Sequence, residues 1–417
     1  MKVLINAYAC RPNSGSEAGM AWNWIVGLVG YQVEAFVITE GEWRDEIQAT
    51  LPQIPNHDLI HFYYCPVTNK IREMCWNQGD YRFYYYYSKW QKRVLGIAEN
   101  IVARHKIDIV HQLNMIGFRE PGYLWRIKGI PYVWGPIGGM NIVPLQYLAK
   151  SPFKVRLKYF FKNEVTKIQY KYHPRVLKAI ERSSVLITAN RFSYDVLMKR
   201  HPEKSIVKIN EAGCTINIGP AAKSFKCSEF NILWVGRFIP TKLMELTLDV
   251  ISALKDLHGL KLHVIGKAFS DEETQRYHQM ANDKGVGGLC QWHSWVSHDE
   301  VQVMMQQSDI FFFPSVVEGT PHVVLEAIAN HLPVVCFNTC GQADAVDDTV
   351  GIKIPLGKPE ESVRLFANTL RDLYHDRQLL AKLSDGCAER KKILSWNRKI
   401  EELMTIYKEI TAPKVSV

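Results

Sequence analysis

Two carboxylates, Glu318 and Glu326, bracket the start of a helix within the stretch Asp309 to Asn338. Ile310 to Phe313 is an unbroken apolar run, short enough for a buried strand, and Pro314 with Ser315 ends it. Thr320 reads as a hydroxyl cap and Pro321 as the first helical residue, where a missing N–H costs nothing. Val323, Val324, Ala327 and Ile328 recur at helical spacing, and Val334 to Phe337 reads as the next strand. Strand, loop, helix, strand is the crossover of a parallel sheet. Acids in such a strand-end loop lie where open α/β sheets bind ligands. The backbone of Gly319, Thr320, Pro321 and His322 leads into a helix N-terminus, which favours an anion.

Two cations belong to the same crevice. The run VGRFIPTK ends an earlier strand and sets Arg237 and Lys242 just beyond its carboxyl end. Two cations with backbone N–H groups suit a diphosphate. A helix-borne acid suits paired ribose hydroxyls, and a loop acid suits sugar hydroxyls. Together these parts describe a nucleoside-diphosphate sugar. The spacing of the acids alone would not, because E-x7-E occurs by chance in many helical chains.

The chain that must position these groups has 417 residues, enough for two domains. Strands are expected at Lys2 to Ala7, Val33 to Thr39, Leu59 to Tyr64, Ile107 to Gln112, Pro131 to Trp134 and Val185 to Ala189. A second run follows: Asn231 to Val235, Leu262 to Ile265, Leu289 to Trp292, Ile310 to Phe313, Val334 to Phe337 and Gly351 to Ile354. Residues 210–228 lack periodicity and hold the boundary, giving domains 1–212 and 222–394. The fold class is α/β, two doubly wound Rossmann-like domains facing across a central cleft. Ser395 to Ile410 is a final amphipathic helix.

Five features of the first half stand out, and four of them admit two readings. The loop bearing Gly15, Ser16 and Gly19, with Glu17 in the first helical turn, either lets backbone approach a phosphate or is a plain β–α turn. It lacks the dinucleotide G-x-G-x-x-G spacing. His111, at the carboxyl end of the fourth strand, is an acid, base or donor, or else a satisfied structural histidine. Gly135 to Gly139, GPIGG, reads as a turn of little bulk. Tyr81 to Arg93 mixes aromatics with bases and reads as an aromatic helix with snorkelling cations, or as a stacking surface. Ser151 to Arg182 holds nine Lys/Arg and two Glu, with Phe153, Leu157, Phe160, Phe161, Val165, Ile168 and Tyr172 at helical spacing. This basic amphipathic segment, interrupted near Pro174, either lies on an anionic membrane surface or packs its apolar face on its own domain.

Charge separates the halves. Residues 1–220 hold 29 Lys+Arg against 17 Asp+Glu, and residues 221–417 hold 22 against 25. The first half therefore carries the whole basic excess and suits an anionic partner. No nucleic-acid-binding module matches. No apolar run reaches the roughly 20 residues that span a bilayer, and the opening MKVLINAYACRP reads as a strand rather than a signal peptide. Nine irregularly spaced cysteines suit reduced thiols, so a cytoplasmic location is expected, with peripheral attachment at the inner face of the plasma membrane on the lipid reading.

In VGRFIPTK, HVIGKA, HSWVSHDEV, EGTPHVVLEAIANHLPVV and the closing SW…Y helix, the chain resembles the retaining glycosyltransferases of family four, of GT-B fold. GSEAGMAWNW and HQLNMIGFREPGYLW…VWGPIGG are similar to a branch making polysaccharide or lipid-linked glycans. The resemblance implies sugar transfer from a UDP- or GDP-linked donor to a glycan or lipid-linked acceptor hydroxyl, with retention and without a metal or other cofactor. It implies that Arg237 and Lys242 hold the diphosphate, Glu326 the ribose, and Glu318 with Gly319 to His322 the sugar and phosphate. Val296 would meet the base through its backbone, and the Gly15 to Gly19 loop would face the phosphates. The closing helix, 395–417, would pack on the first domain. Two departures stand out. Leu113 occupies the position where many members carry a second histidine, which leaves the role of His111 open, with Asn114 or a backbone group as the substitute. Thr320-Pro321-His322 replaces a Phe-Gly pair. A sugar phosphorylase or hydrolase of the same fold, and a non-catalytic membrane-associated scaffold, are the rival readings.

Overall fold

The computed structural model describes residues 1–77, 80–215, 225 and 229–412. Those residues divide into two compact units. Unit 1 comprises residues 1–140, 165–212 and 396 onward, and unit 2 comprises 141–164 and 213–395. The segment 141–164, expected in the first domain, thus belongs with the second. The expected start of the second domain at 222, and residues 413–417 of the closing segment, fall outside the described residues.

Unit 1 runs β1 (Lys2–Ala7), α1 (Ser16–Gly30), β2 (Glu34–Thr39), α2 (Arg44–Thr50), β3 (Ile60–Tyr64), α3 (Asn69–Trp76), α4 (Arg82–Arg104), β4 (Ile109–Asn114) and β5 (Tyr132–Ile137). After α5 (Phe153–Tyr172), which begins in unit 2, come α6 (Pro174–Arg182), β6 (Val185–Thr188), α7 (Arg191–Arg200) and β7 (Ile206–Lys208). The sheet is parallel in the order β3-β2-β1-β4-β5-β6-β7. Alternation along the strands feeds two apolar layers, as a sheet covered on both faces requires. Val3, Ile5 and Ala7 face α1, whereas Leu4 packs with Phe83, Tyr87 and Trp90 of α4. The aromatic helix therefore packs on its own domain through one face, while Tyr81 and Tyr85 stay exposed.

Two expectations shift here. The fourth strand begins at Ile109 and ends at Asn114, so His111 lies inside it, hydrogen-bonded in register between β1 and β5. Gly135 to Gly139 is strand through Ile137, because β5 is central and pairs on both sides.

Unit 2 runs β8 (Phe230–Val235), α8 (Met244–Ser252), β9 (Leu260–Ile265), α9 (Asp271–Asp283), β10 (Cys290–His293), α10 (His298–Gln307), β11 (Ile310–Phe313), α11 (His322–Ala329), β12 (Val334–Phe337), α12 (Cys340–Ala345), β13 (Gly351–Ile354), α13 (Pro359–His375) and α14 (Arg377–Ile393). Its parallel sheet has the order β10-β9-β8-β11-β12-β13. The apolar strands Phe311–Phe313 and Val334–Phe337 are wholly buried, with Phe312 and Phe337 edge-on to Phe366 of α13. The last helix, α15 (Trp396–Thr411), returns to unit 1, where Ile400, Leu403 and Tyr407 complete the layer over α1.

In each sheet the strand order reverses beside the first strand, between β1 and β4 and between β8 and β11. Connections leave those neighbours in opposite directions, which opens a crevice at their carboxyl ends.

Candidate active site

In unit 2 that crevice is bounded by the loop after β8 and the loop after β11. The first leaves the sheet at Gly236, whose N–H donates to Ile265 (3.0 Å). It then tightens into a single turn, Pro240–Lys242, and reverses at Leu243, which adopts left-handed φ of 52°. A Cβ on Gly266 would lie 1.9 Å from the Gly236 carbonyl oxygen, so only glycine lets the two loops meet. The second loop is tied to the first: the Val316 N–H donates to Thr241 O (3.0 Å), and Ser315 Oγ lies 3.2 Å from the same carbonyl.

These ties bring Lys242 against Glu318, with Nζ 2.5 Å from Oε1. Both side chains are largely buried, at 16% and 17% exposure. Ser315 Oγ donates to the same carboxylate oxygen (2.6 Å), and the Lys242 ammonium stands 4.5 Å from the Phe313 ring centre. Asn141 Nδ2 donates to the Glu318 carbonyl (2.7 Å). In the sequence Ser315 reads only as a strand stop, and Asn141 gives no sign of its partner 177 residues away.

Gly319, Thr320 and Pro321 continue from the ion pair into α11. That helix begins at His322, one residue later than expected, and Pro321 is its cap residue. The cap position thus falls on Pro321, one residue beyond the expected Thr320. Proline at this position leaves the first-turn N–H groups of His322 and Val323 without an intrahelical acceptor. Burial lowers the His322 pKa below its ordinary value, which favours the uncharged ring. Behind the loop, α12 approaches so closely that a Cβ on Gly341 would lie 1.9 Å from the Gly319 carbonyl oxygen.

Arg237 and Glu326 both reach the loop that carries Val296. Arg237 is exposed, and its guanidinium lies 5.6 Å from the Phe269 ring and 5.9 Å from the Trp295 ring. Glu326 Oε1 lies 3.5 Å from His298 Nε2. The loop is fixed by the start of α10, where Ser297 and Glu300 form a reciprocal capping box. The sequence run HSWVSHDEV contains His298, but its spacing does not single it out. A cavity of about 220 Å³ opens beside this loop, between Gly266–Lys267 and His293–Ser294. A larger cavity of about 550 Å³ lies elsewhere in unit 2, lined by Tyr147, Leu243, Met244 and Tyr277 among others. None of Arg237, Lys242, Glu318 or Glu326 lines it.

Gly15, Ser16, Gly19 and His111 belong to unit 1. Gly15 is the cap residue of α1, Ser16 takes φ of 59°, and a Cβ on Gly19 would lie 1.7 Å from Ser14 O. Asn114 fixes this loop to the end of β4, donating to Ala9 O (2.8 Å) and Glu17 O (3.1 Å). The Glu17 carboxyl is pushed up to about 7 by burial, and its Oε2 has no hydrogen-bond partner. His111 is fully buried. Its Nδ1 meets the Tyr407 hydroxyl (2.6 Å) and its Nε2 the Gly135 carbonyl (2.7 Å). Burial lowers its pKa to about 4. With both nitrogens engaged inside the core, His111 has the contacts of a satisfied structural histidine.

Residues 221–390 match the model of glycosyl transferases group 1. The match covers the β8–α14 unit and less than half of the chain. A capsular polysaccharide biosynthesis glycosyltransferase, CapH, of Staphylococcus aureus is 28% identical over 193 residues, which is 44% of this chain and 52% of that protein. The chain thus spans about half the length of this curated relative. Among solved structures, a glycosyltransferase from Rickettsia africae superimposes with a TM-score of 0.68 at 16% identity, over 100% of this chain and 99% of that one. HepE of Anabaena, in complex with UDP and glucose, gives 0.60 at 15% identity, over 97% and 100%. At these identities the likeness carries the fold, two Rossmann-like parallel-sheet domains of the GT-B class.

Proposed function

We propose that this protein transfers a sugar from a nucleoside-diphosphate sugar, UDP- or GDP-linked, to a hydroxyl of a glycan or lipid-linked acceptor, with retention at the anomeric carbon. The observation that carries the reading is the Lys242–Glu318 pair at the switch point of the β8–β13 sheet, in the loop that leads into the N-terminus of α11. A departing diphosphate gains negative charge as the glycosidic bond breaks. A preorganised ammonium in a half-dry crevice stabilises that charge without reorganising. Arg237 supplies the second cation from the same loop. Glu326 takes the ribose hydroxyls, and the backbone around Val296 meets the base. Glu318, held by Ser315, turns its remaining acceptor capacity to the donor sugar. The group 1 match over residues 221–390 supports this reading, as does the UDP and glucose complex of a protein with this fold.

A panel of UDP- and GDP-sugars tests it. One member should raise the unfolding temperature and be hydrolysed slowly in the absence of acceptor, and NMR of the transferred product should give the donor's anomeric configuration. Turnover of a free glycoside or sugar phosphate with no nucleotide would replace this reading with the phosphorylase or hydrolase one. Inverted product would remove retention alone.

A further inference from the structure

α5 is amphipathic with its apolar side outward. Phe153, Phe161, Ile168 and Tyr172 are 72%, 57%, 57% and 59% exposed, and Leu157 and Phe160 are exposed beside them. At 100° per residue these side chains and the exposed Val165 occupy an arc of roughly 140° on one side of the helix, which Glu164 and Lys171 share. The opposite side faces the protein and is polar at its centre: Asn163 and Thr166 are buried, at 5% and 1% exposure. Asn163 accepts from the Val143 N–H (3.0 Å) and donates to the Val143 carbonyl (2.8 Å). Arg119 donates to Thr166 Oγ1 (2.6 Å) and to Gln169 Oε1 (2.8 Å). Hydrogen bonds therefore fix the rotation of each half of the helix within its own unit and turn the apolar face away from that unit. Of the two readings of this segment, the one in which that face packs on its own domain is removed.

The charges select the occupant. The helix carries six Lys/Arg and one Glu. Lys154, Lys158 and Lys162 follow one flank of the apolar arc, and Arg156 and Lys167 the other; all five are exposed. Protein interfaces are depleted in lysine. Cations on both flanks of an aromatic and aliphatic face suit a helix lying in the plane of an anionic interface, rings below the headgroups and ammonium groups among the phosphates. Among the described residues no helix is long and apolar enough to cross a membrane, so the contact is one of surface docking. We propose that α5 docks the protein on an anionic phospholipid bilayer, with Phe160, Phe161 and Ile168 inserted between headgroups.

Sedimentation of the full chain with phosphatidylcholine vesicles, with and without about one-third phosphatidylglycerol, tests this at about 100 mM salt, where charges are screened beyond roughly 10 Å. The wild type should partition at least about tenfold more strongly onto the anionic vesicles. The variant Phe160→Ser/Phe161→Ser/Ile168→Ser should lose about tenfold or more of that binding. Its unfolding temperature and its vesicle-free hydrolysis of donor should not change. Lys154→Gln/Lys158→Gln/Lys162→Gln should lose the preference for anionic lipid. Wild type that stays in the supernatant overturns the proposal, as does a serine variant that binds undiminished. A wild-type dimer that the serine variant dissolves, with no vesicle binding, reassigns the face to self-association. Because donor hydrolysis is read without vesicles, either inference can fail while the other stands.

Discussion

Lys242 and Glu318 form an ion pair that joins the loop after β8 to the loop after β11, Nζ to Oε1 at 2.5 Å. The carboxylate is in turn held by Ser315, whose carbonyl accepts from Gln342 Nε2 (2.7 Å). In the absence of donor, Glu318 thus keeps the ammonium in place and compensates its charge where water is scarce.

Lys242→Ala should lower kcat by about two to three orders of magnitude, the usual cost of removing one charge-stabilising donor. The fold should survive, because the strands on either side are covered independently of this side chain. Steady-state kinetics beside thermal unfolding checks it. A folded variant within about threefold of wild-type kcat would take Lys242 out of the chemistry.

Gly341→Ala forces a methyl group toward the Gly319 carbonyl, where 1.9 Å is available. Backbone must move, and what moves is the loop leading into α11. Donor KM should rise about tenfold or more, because displacements of about 1 Å in positioning loops are costly. Isothermal titration with the donor's nucleoside diphosphate separates lost binding from lost chemistry.

His111→Ala empties a fully buried position and strands the Tyr407 hydroxyl and the Gly135 carbonyl. The expected cost is about 2–4 kcal/mol of stability. Turnover per folded molecule should stay within about threefold. A stable variant with turnover abolished would return His111 to the chemistry.

Glu17 sets a pH dependence of definite sign. Burial raises its folded pKa from 4.5 to about 7. Between those values the folded chain holds a proton that the unfolded chain has released. Its contribution to stability is therefore greatest at low pH and is lost as pH rises toward 7. His111, lowered to about 4, acts in the opposite sense: its contribution is present at neutral pH and lost as pH falls below 6.5. Comparing the wild type with Glu17→Gln cancels His111. The unfolding temperature of the wild type should drop relative to the variant between pH 5 and pH 8. A difference that is constant across that range would leave Glu17 with an ordinary pKa.

Where a strand was mostly apolar, its limits were legible from sequence. Lys2–Ala7, Ile310–Phe313, Val334–Phe337 and Gly351–Ile354 are strands at the residues expected. β4 was misplaced by two residues because its carboxyl half, HQLN, is polar. Those polar groups find buried partners far along the chain, such as Asn6 Nδ2 donating to Gln112 Oε1 (2.8 Å). β7, three residues ending in lysine, offered too little pattern to be seen. The pairing of the Lys242 and Glu318 loops was readable because both sit at fixed offsets from strand ends, whereas His298, Asn141 and Ser315 act through partners that only folding brings near. The placement of 141–164 was invisible for the same reason. It rests on contacts such as Tyr147 Oη to Ser362 Oγ (2.7 Å), across 215 residues.

The position of α15 has a bearing on how the protein is made. Unit 1 contains the first strand of the chain, yet Ile400, Leu403 and Tyr407 form part of its interior, and Tyr407 bonds the buried His111. A ribosome delivers those residues after the whole of unit 2. Unit 2 can close as soon as residue 395 has emerged, while unit 1, begun first, must wait with the face of α1 uncovered. Exposed apolar surface of this kind invites aggregation. Unit 1 should therefore need chaperone protection until α15 has been made.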